Sequence, residues 1–164
     1  MRFIKLAIIS AVILFLLVLG MSLLIPSHIR ISRAVDITAS KNNLLPAISD
    51  LRQWKEWNVM VNNADSTVKE YTENAIMADK LTITKQALVG DTLFTSWQQH
   101  NARSFVSGFT WQGNDDRLVV QWYFDIQLRW YPWEKFGSIV FDKQLGPSME
   151  KSLGNLKKLV EKKP

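Results

Sequence analysis

The 164-residue chain carries 20 lysines and arginines against 15 acidic residues, a formal net charge of +5, and no cysteine. The missing thiols exclude disulfides, thiolate metal sites and cysteine nucleophiles. Arg2 and Lys5 precede a long apolar run, so the rest of the chain carries +3, too mild a surplus to call for nucleic acid.

The apolar run, LAIISAVILFLLVLGMSLLI, extends from Leu6 to Ile25 without a charge. As a helix it spans roughly 30 Å, the thickness of a bilayer's hydrocarbon core. A cleaved signal peptide is the rival reading, with Arg2 and Lys5 as its positive region. The run is longer than the usual h-region, and Ile25-Pro26-Ser27-His28 offers no small-x-small cleavage site. The expectation is therefore a retained single-span anchor over residues 1–26, with the lipid bilayer as a partner. The short charged stub ahead of the span stays in the cytoplasm, which puts residues 27–164 on the non-cytoplasmic side. Arg30 and Arg33 on the far side nearly balance the positive-inside rule.

Pro26 ends the anchor. Ile29, Ile31, Val35 and Ile37 then alternate with polar residues, the period of a first strand, and the pattern slips at Arg33, as at a bulge or an edge. Ser40 suits the cap of a short helix through Leu44, Leu45, Ile48 and Leu51. Pro46 predicts a late helix start or a kink there. Leu51 to Trp57 reads as a second short helix presenting Trp54 and Trp57. These rings pack against a sheet, or else sit at a cavity mouth or the membrane interface. Asn58 to Asp65 loses periodicity and reads as loop.

Strand-like runs follow. Ser66 to Thr72 is weak, whereas Leu81 to Val89 alternates up to the turn at Gly90-Asp91. Leu93 and Trp97 share a face, and so do Phe105, Phe109 and Trp111 before Gly113-Asn114-Asp115. From Arg117 to Trp130, Leu118, Val120, Trp122, Phe124, Ile126, Leu128 and Trp130 hold every even position, the pattern of a strand with one dry face. Phe136 to Phe141 reads as a strand or a loop. Pro147 fits a first helical position, and Met149, Leu153, Leu156 and Val160 then form the stripe of an amphipathic helix of about 16 residues. Lys157, Lys158, Lys162 and Lys163 at its end complement the helix dipole or touch anionic headgroups.

A strongly bent sheet gripping that last helix leaves space between them, which side chains fill or a ligand uses. This order of elements, with Asp50-Leu51-x-x-Trp54-x-x-Trp57-Asn58 and Ser148-Met149-Glu150-Lys151-Ser152-Leu153-Gly154-Asn155-Leu156-Lys157, resembles the START-like, Bet v 1-like (SRPBCC) superfamily. More narrowly, it is similar to membrane-anchored bacterial proteins described as polyketide cyclase/dehydrase-like. The resemblance covers Ile29 to Glu161. It departs at Ala39-Ser40, where such proteins often carry Ala-Pro. It implies an α+β helix-grip fold, a curved antiparallel sheet around a long C-terminal helix, with a hydrophobic ligand cavity and no particular reaction.

The candidate cavity lining is Trp97, Phe105, Phe109, Trp111, Trp122, Phe124, Met149 and Leu153, with plain core filling as the alternative for each. By strand parity Lys85 and Arg103 face the same interior, where a buried cation needs a partner such as a ligand carboxylate or phosphate. A bulge, a strand end or a register slip would put both in water. Catalytic signatures are missing. His28 and His100 are the two histidines, and no paired metal spacing, Gly-rich phosphate loop or G-x-S-x-G occurs. No metal, no cofactor and no enzymatic activity are expected. The expected function is membrane-tethered binding of a lipid or another hydrophobic small molecule. The alternative is a structural or protein-interaction module with a filled core.

Overall fold

The computed structural model describes residues 2–64, 68–100, 103–114 and 116–162; Asp65, Ser66, Asp115 and Lys163 of the assignments above lie outside them. The apolar run forms α1 (Arg2–Leu23), whose side chains stand exposed along nearly its whole length. Its last turn closes through Leu24 N to Met21 O and Ile25 N to Ser22 O, and Pro26, with no N–H and a fixed φ, ends it. Strand β1 (His28–Ile37) starts almost at once, so there is no slack linker.

β1 pairs antiparallel with β7 (Arg117–Gln127), His28 opposite Gln127 and Ile37 opposite Leu118. The sheet continues through β6 (Ser104–Asn114), β5 (Thr92–Gln99), β4 (Leu81–Val89), β3 (Ala75–Ala78) and β2 (Val68–Tyr71), seven antiparallel strands in the order β1-β7-β6-β5-β4-β3-β2. First and last strands lie side by side because the intervening chain makes a helical excursion. That excursion is α2 (Lys41–Ser49), a 3-10 turn (Leu51–Gln53), α3 (Trp54–Trp57) and α4 (Val59–Ala64). The curved sheet holds the long α6 (Phe141–Glu161) against it, the α+β helix-grip arrangement. A short α5 (Pro132–Ser138) precedes α6.

Several local expectations need correction. Within the segment read as loop, Val59–Ala64 form the helix α4, because Asn58 caps it: its Oδ1 accepts from the N–H groups of Met60 (3.0 Å) and Val61 (3.3 Å). The region read as strand or loop at 136–141 is the end of α5, a turn at Ile139 and Val140, and the start of α6, with Pro132 opening α5 where its missing N–H costs nothing. α6 begins at Phe141, so Pro147 lies inside it rather than opening it, and the helix has 21 residues. α2 likewise begins ahead of Pro46, and Ser40 makes no side-chain cap bond. β7 stops at Gln127, short of Trp130, where the Leu128 N–H turns to Ser27 O at 2.7 Å. The irregularity at Arg33 is not a bulge, since β1 and β7 pair in unbroken register; β1 is an edge strand, and Arg33 occupies an inward position.

Candidate functional site

The concave face of the sheet is filled by rings. Trp122 stacks on Phe109 at 4.9 Å between centroids, and Trp57 stands edge-on to both. Trp54 meets Phe109 edge-on at 5.5 Å, and Trp97 meets Phe124 edge-on at 5.2 Å. Large flat side chains interlock in these geometries at near-solid density. Four of the indoles also place their N–H. Trp54 Nε1 donates to Ile48 O (2.9 Å) and Trp57 Nε1 to Ala47 O (3.0 Å), which ties α3 to the end of α2. Trp122 Nε1 donates to Ser107 Oγ at 2.7 Å and Trp97 Nε1 to Thr95 Oγ1 at 3.1 Å. Trp54 and Trp57 are thus interior packing residues, away from any membrane surface.

Trp97, Phe109, Trp111, Trp122, Phe124, Met149 and Leu153 belong to this packed core. Trp111 borders a small hollow of about 60 Å³ beside Lys41 and Asp91. Lys85 does face the helical side of the sheet, but its Nζ donates to Ser49 O (3.1 Å), the last carbonyl of α2, and lies 3.6 Å from Glu73 Oε1. A cation at a helix C-terminus satisfies an orphan carbonyl and the helix dipole together. A register shift separates Lys85 from Ala87.

Space opens at the other end of the grip, where β5, β6 and β7 meet the start of α6. A pocket of about 620 Å³ lies there. Its apolar walls are Phe105, Ile126, Leu128, Phe141 and Leu145, and its rim carries Gln99, Arg103, Ser104, Gln127, Arg129, Glu134 and Gln144. Phe105 and Arg103 are the two sequence candidates that the structure brings to it. Phe105 is also the boundary between pocket and core, packing on Trp97 and Phe124. Across the rim, the Arg129 N–H donates to Glu134 Oε2 at 2.8 Å, and the Arg129 guanidinium lies 3.9 Å from Glu134 Oε1. A concave, mostly apolar site with a few convergent polar groups suits a small amphipathic molecule.

The sequence reading overlooked the α6 wall. Leu145 continues the stripe of Met149 and Leu153 four residues earlier, a signal hidden by starting the helix at Pro147. Ile126 and Leu128 sit on the dry side of the β7 pattern, but nothing local tells pocket from core. Among the described residues, no group of three or more histidines and carboxylates is placed to hold a metal ion.

The family described as "Polyketide cyclase / dehydrase and lipid transport" matches residues 28–161. No curated protein sequence matches the chain. Among solved structures, DynU16 from the dynemicin biosynthetic locus is similar at 16% identity and a TM-score of 0.56; the match covers 81% of this chain and 47% of DynU16, so the chain spans about half that protein. CalU16 from Micromonospora echinospora is similar at 10% identity and a TM-score of 0.55, covering 84% of each chain. Norcoclaurine synthase from Thalictrum flavum, in complex with a transition-state analogue, is similar at 8% identity and 0.56, covering 81% of this chain and 94% of that one. At these identities the structural likeness establishes the fold.

These comparisons overturn the expectation that the chain is no enzyme. The family's description includes cyclases and dehydrases, and a synthase shares the fold. Missing motifs are therefore no ground for excluding catalysis, because catalytic groups can come from side chains that only the folded chain brings together.

Proposed function

The chain belongs to the polyketide cyclase / dehydrase and lipid transport family, and we propose that it binds a lipid or another amphipathic small molecule in the pocket between the sheet and the N-terminal half of α6. The observation that carries this reading is the pocket itself: about 620 Å³ of space walled by Phe105, Ile126, Leu128, Phe141 and Leu145 beside a core of buried, interlocked rings. Arg103 and Arg129 at the rim suit a carboxylate or phosphate head group while the apolar walls take the tail. α1 is long and apolar enough to cross a membrane. In this reading it is a retained anchor, holding the domain beside the bilayer on the non-cytoplasmic side.

Native mass spectrometry of the full chain, released from detergent micelles, tests the binding. A co-purifying apolar molecule is expected, and it is lost in Leu145→Trp, where a larger ring fills the pocket. A chain that emerges empty from every membrane preparation overturns the reading and favours the protein-interaction module.

Glu134 favours a second reading, proton-transfer chemistry on the bound molecule, since its carboxylate lines the same pocket. In that case the molecule retained by Glu134→Gln differs in fragmentation and chromatographic retention from the one held by the unmodified chain, with or without a change of mass. The same molecule in both leaves binding as the function.

A further inference from the structure

The segment joining β7 to α6 carries an unusual surface. Five of the seven tryptophans are buried, and the two exposed ones, Trp130 (61%) and Trp133 (66%), both lie here. Ile139, 65% exposed, and Val140 follow on the same short stretch. Tyr131 ties the two indoles together, stacking on Trp133 at 4.7 Å and packing against Trp130 at 4.9 Å. Rings held in a fixed group and turned outward are costly in water and call for an apolar neighbour.

The position of this group in the fold identifies the neighbour. α5 packs against α1. The Lys135 ammonium is buried and donates to Ile25 O at 2.6 Å, the carbonyl just before Pro26 where the apolar helix gives way to β1. The aromatic group is therefore pinned level with the exit of the span, the depth at which hydrocarbon meets headgroups. Tryptophan and tyrosine favour that depth, where the ring is half dry and its N–H or O–H stays wet. Lys143 flanks the segment and suits anionic headgroups, while the carboxylates Glu134 and Asp142 pair with Arg129 and Arg33.

We propose that Trp130–Val140 docks on the lipid surface and seats the domain on the bilayer from which α1 emerges. Glu134 within this segment, and Leu128, Arg129 and Phe141 at its borders, belong to the pocket. Docking therefore puts the pocket mouth at the headgroup layer, and an amphipathic molecule moves between leaflet and pocket without crossing water. The inference rests on α1 being a retained anchor.

The cysteine-free chain allows a direct test. Single cysteines replace Leu14, Leu88, Trp133 or Ile139 in the full chain, each carries a nitroxide, and the protein is reconstituted into vesicles of phosphatidylcholine and phosphatidylglycerol. Leu88 is an exposed control near the β4–β5 turn, away from Leu81, which pairs with the pocket residue Gln99. Collision with dissolved oxygen relative to a water-soluble nickel chelate reports depth. The ratio is expected to be several-fold higher at W133C and I139C than at L88C, and highest at L14C. A deep label at L14C with W133C and I139C as wet as L88C overturns docking and leaves the anchor intact. Labels at 133 and 139 shielded from both reagents also overturn it, because they indicate burial against protein. A wet label at L14C overturns the anchor, and docking with it. As a check free of cysteine, brominated phosphatidylcholine should quench the unmodified chain, and the Trp130→Tyr/Trp133→Tyr variant should lose most of that quenching. Quenching that survives in this variant also counts against docking.

Discussion

Arg33 Nε donates to Glu150 Oε1 at 2.6 Å, joining an inward position of the edge strand β1 to the middle of α6. The same guanidinium pairs with Asp142, so it spans two turns of α6 on the face where Gly146 lies between the carboxylates. A Cβ on Gly146 would stand 2.2 Å from Arg33 Nη2. The glycine makes room for the arginine, and the arginine in turn explains why the alternation of β1 breaks there without a bulge.

Gly146→Ala should displace the Arg33 head group, which is the mobile end of a flexible side chain. The lost pairing, roughly 0.2–1 kcal/mol for partly exposed partners, opposes a gain of about 1 kcal/mol in helix propensity. Thermal melts should find the variant within about 1 kcal/mol of the unmodified protein. A double-mutant cycle between Arg33→Met and Glu150→Gln should show coupling in the parent and none in the Gly146→Ala background.

Acid should destabilise the fold below about pH 4. The Arg52 guanidinium beside Asp50, and the Arg33 guanidinium beside Asp142, hold those carboxyls below the usual range. A carboxyl depressed in the folded state contributes stability above its unfolded pKa and loses it as pH falls through the lower, folded value. Denaturant midpoints measured from pH 6 downward should hold and then drop, and Asp50→Asn should shrink the drop.

Ser152 links α6 to the helical excursion. Its Oγ donates to Ser148 O at 2.6 Å and accepts from the Val59 N–H, at the start of α4, at 2.9 Å. Ser152→Ala leaves that N–H without its partner in a part-buried place. The expected cost is about 1–2 kcal/mol by denaturant titration, and Ser152→Thr, which keeps an acceptor, should recover part of it.

Gly108 sits opposite Tyr123 across β6 and β7, and the ring folds over it: an added Cβ would meet Tyr123 Cζ at 2.3 Å. Arg30 covers the same ring at 4.2 Å. Gly108→Val should force the ring out and lower stability by about 1–3 kcal/mol, the usual range for overpacking. Retention of the parental melting temperature would show that Tyr123 moves freely.

Core and pocket respond differently to substitution. Trp122→Leu should lower stability by several kcal/mol, about 3 or more by analogy with other large-to-small core changes. Ile126→Trp should leave the melt nearly unchanged and abolish ligand retention.

The apolar helix α1, the β7 strand and the α6 stripe were legible because each is an apolar run or an apolar periodicity within one segment. Local hydrogen bonding hid α4, since a single asparagine side chain starts that helix and hydrophobic pattern does not register it. The same limit obscured α5 and the early start of α6, where proline positions misled. Only Phe105 and Arg103, of the ten candidate site residues, reach the pocket. Strand parity tells which residues turn inward, and an inward ring in the packed middle has the same pattern as an inward ring at the open end.

By itself, then, the amino-acid order determined the apolar helix, the alternation that turns one sheet face dry, and the helix that covers it, because burial of apolar surface acts on short-range periodicity. Tertiary structure decided where space remains. Interlocking of Trp54, Trp57, Trp97, Phe109 and Trp122 consumes the centre of the grip, and the lateral position of α6 relative to the strand ends leaves the pocket at Phe105, Ile126 and Leu145. Voids are set by how side chains from distant segments fit together, a property that no single segment carries.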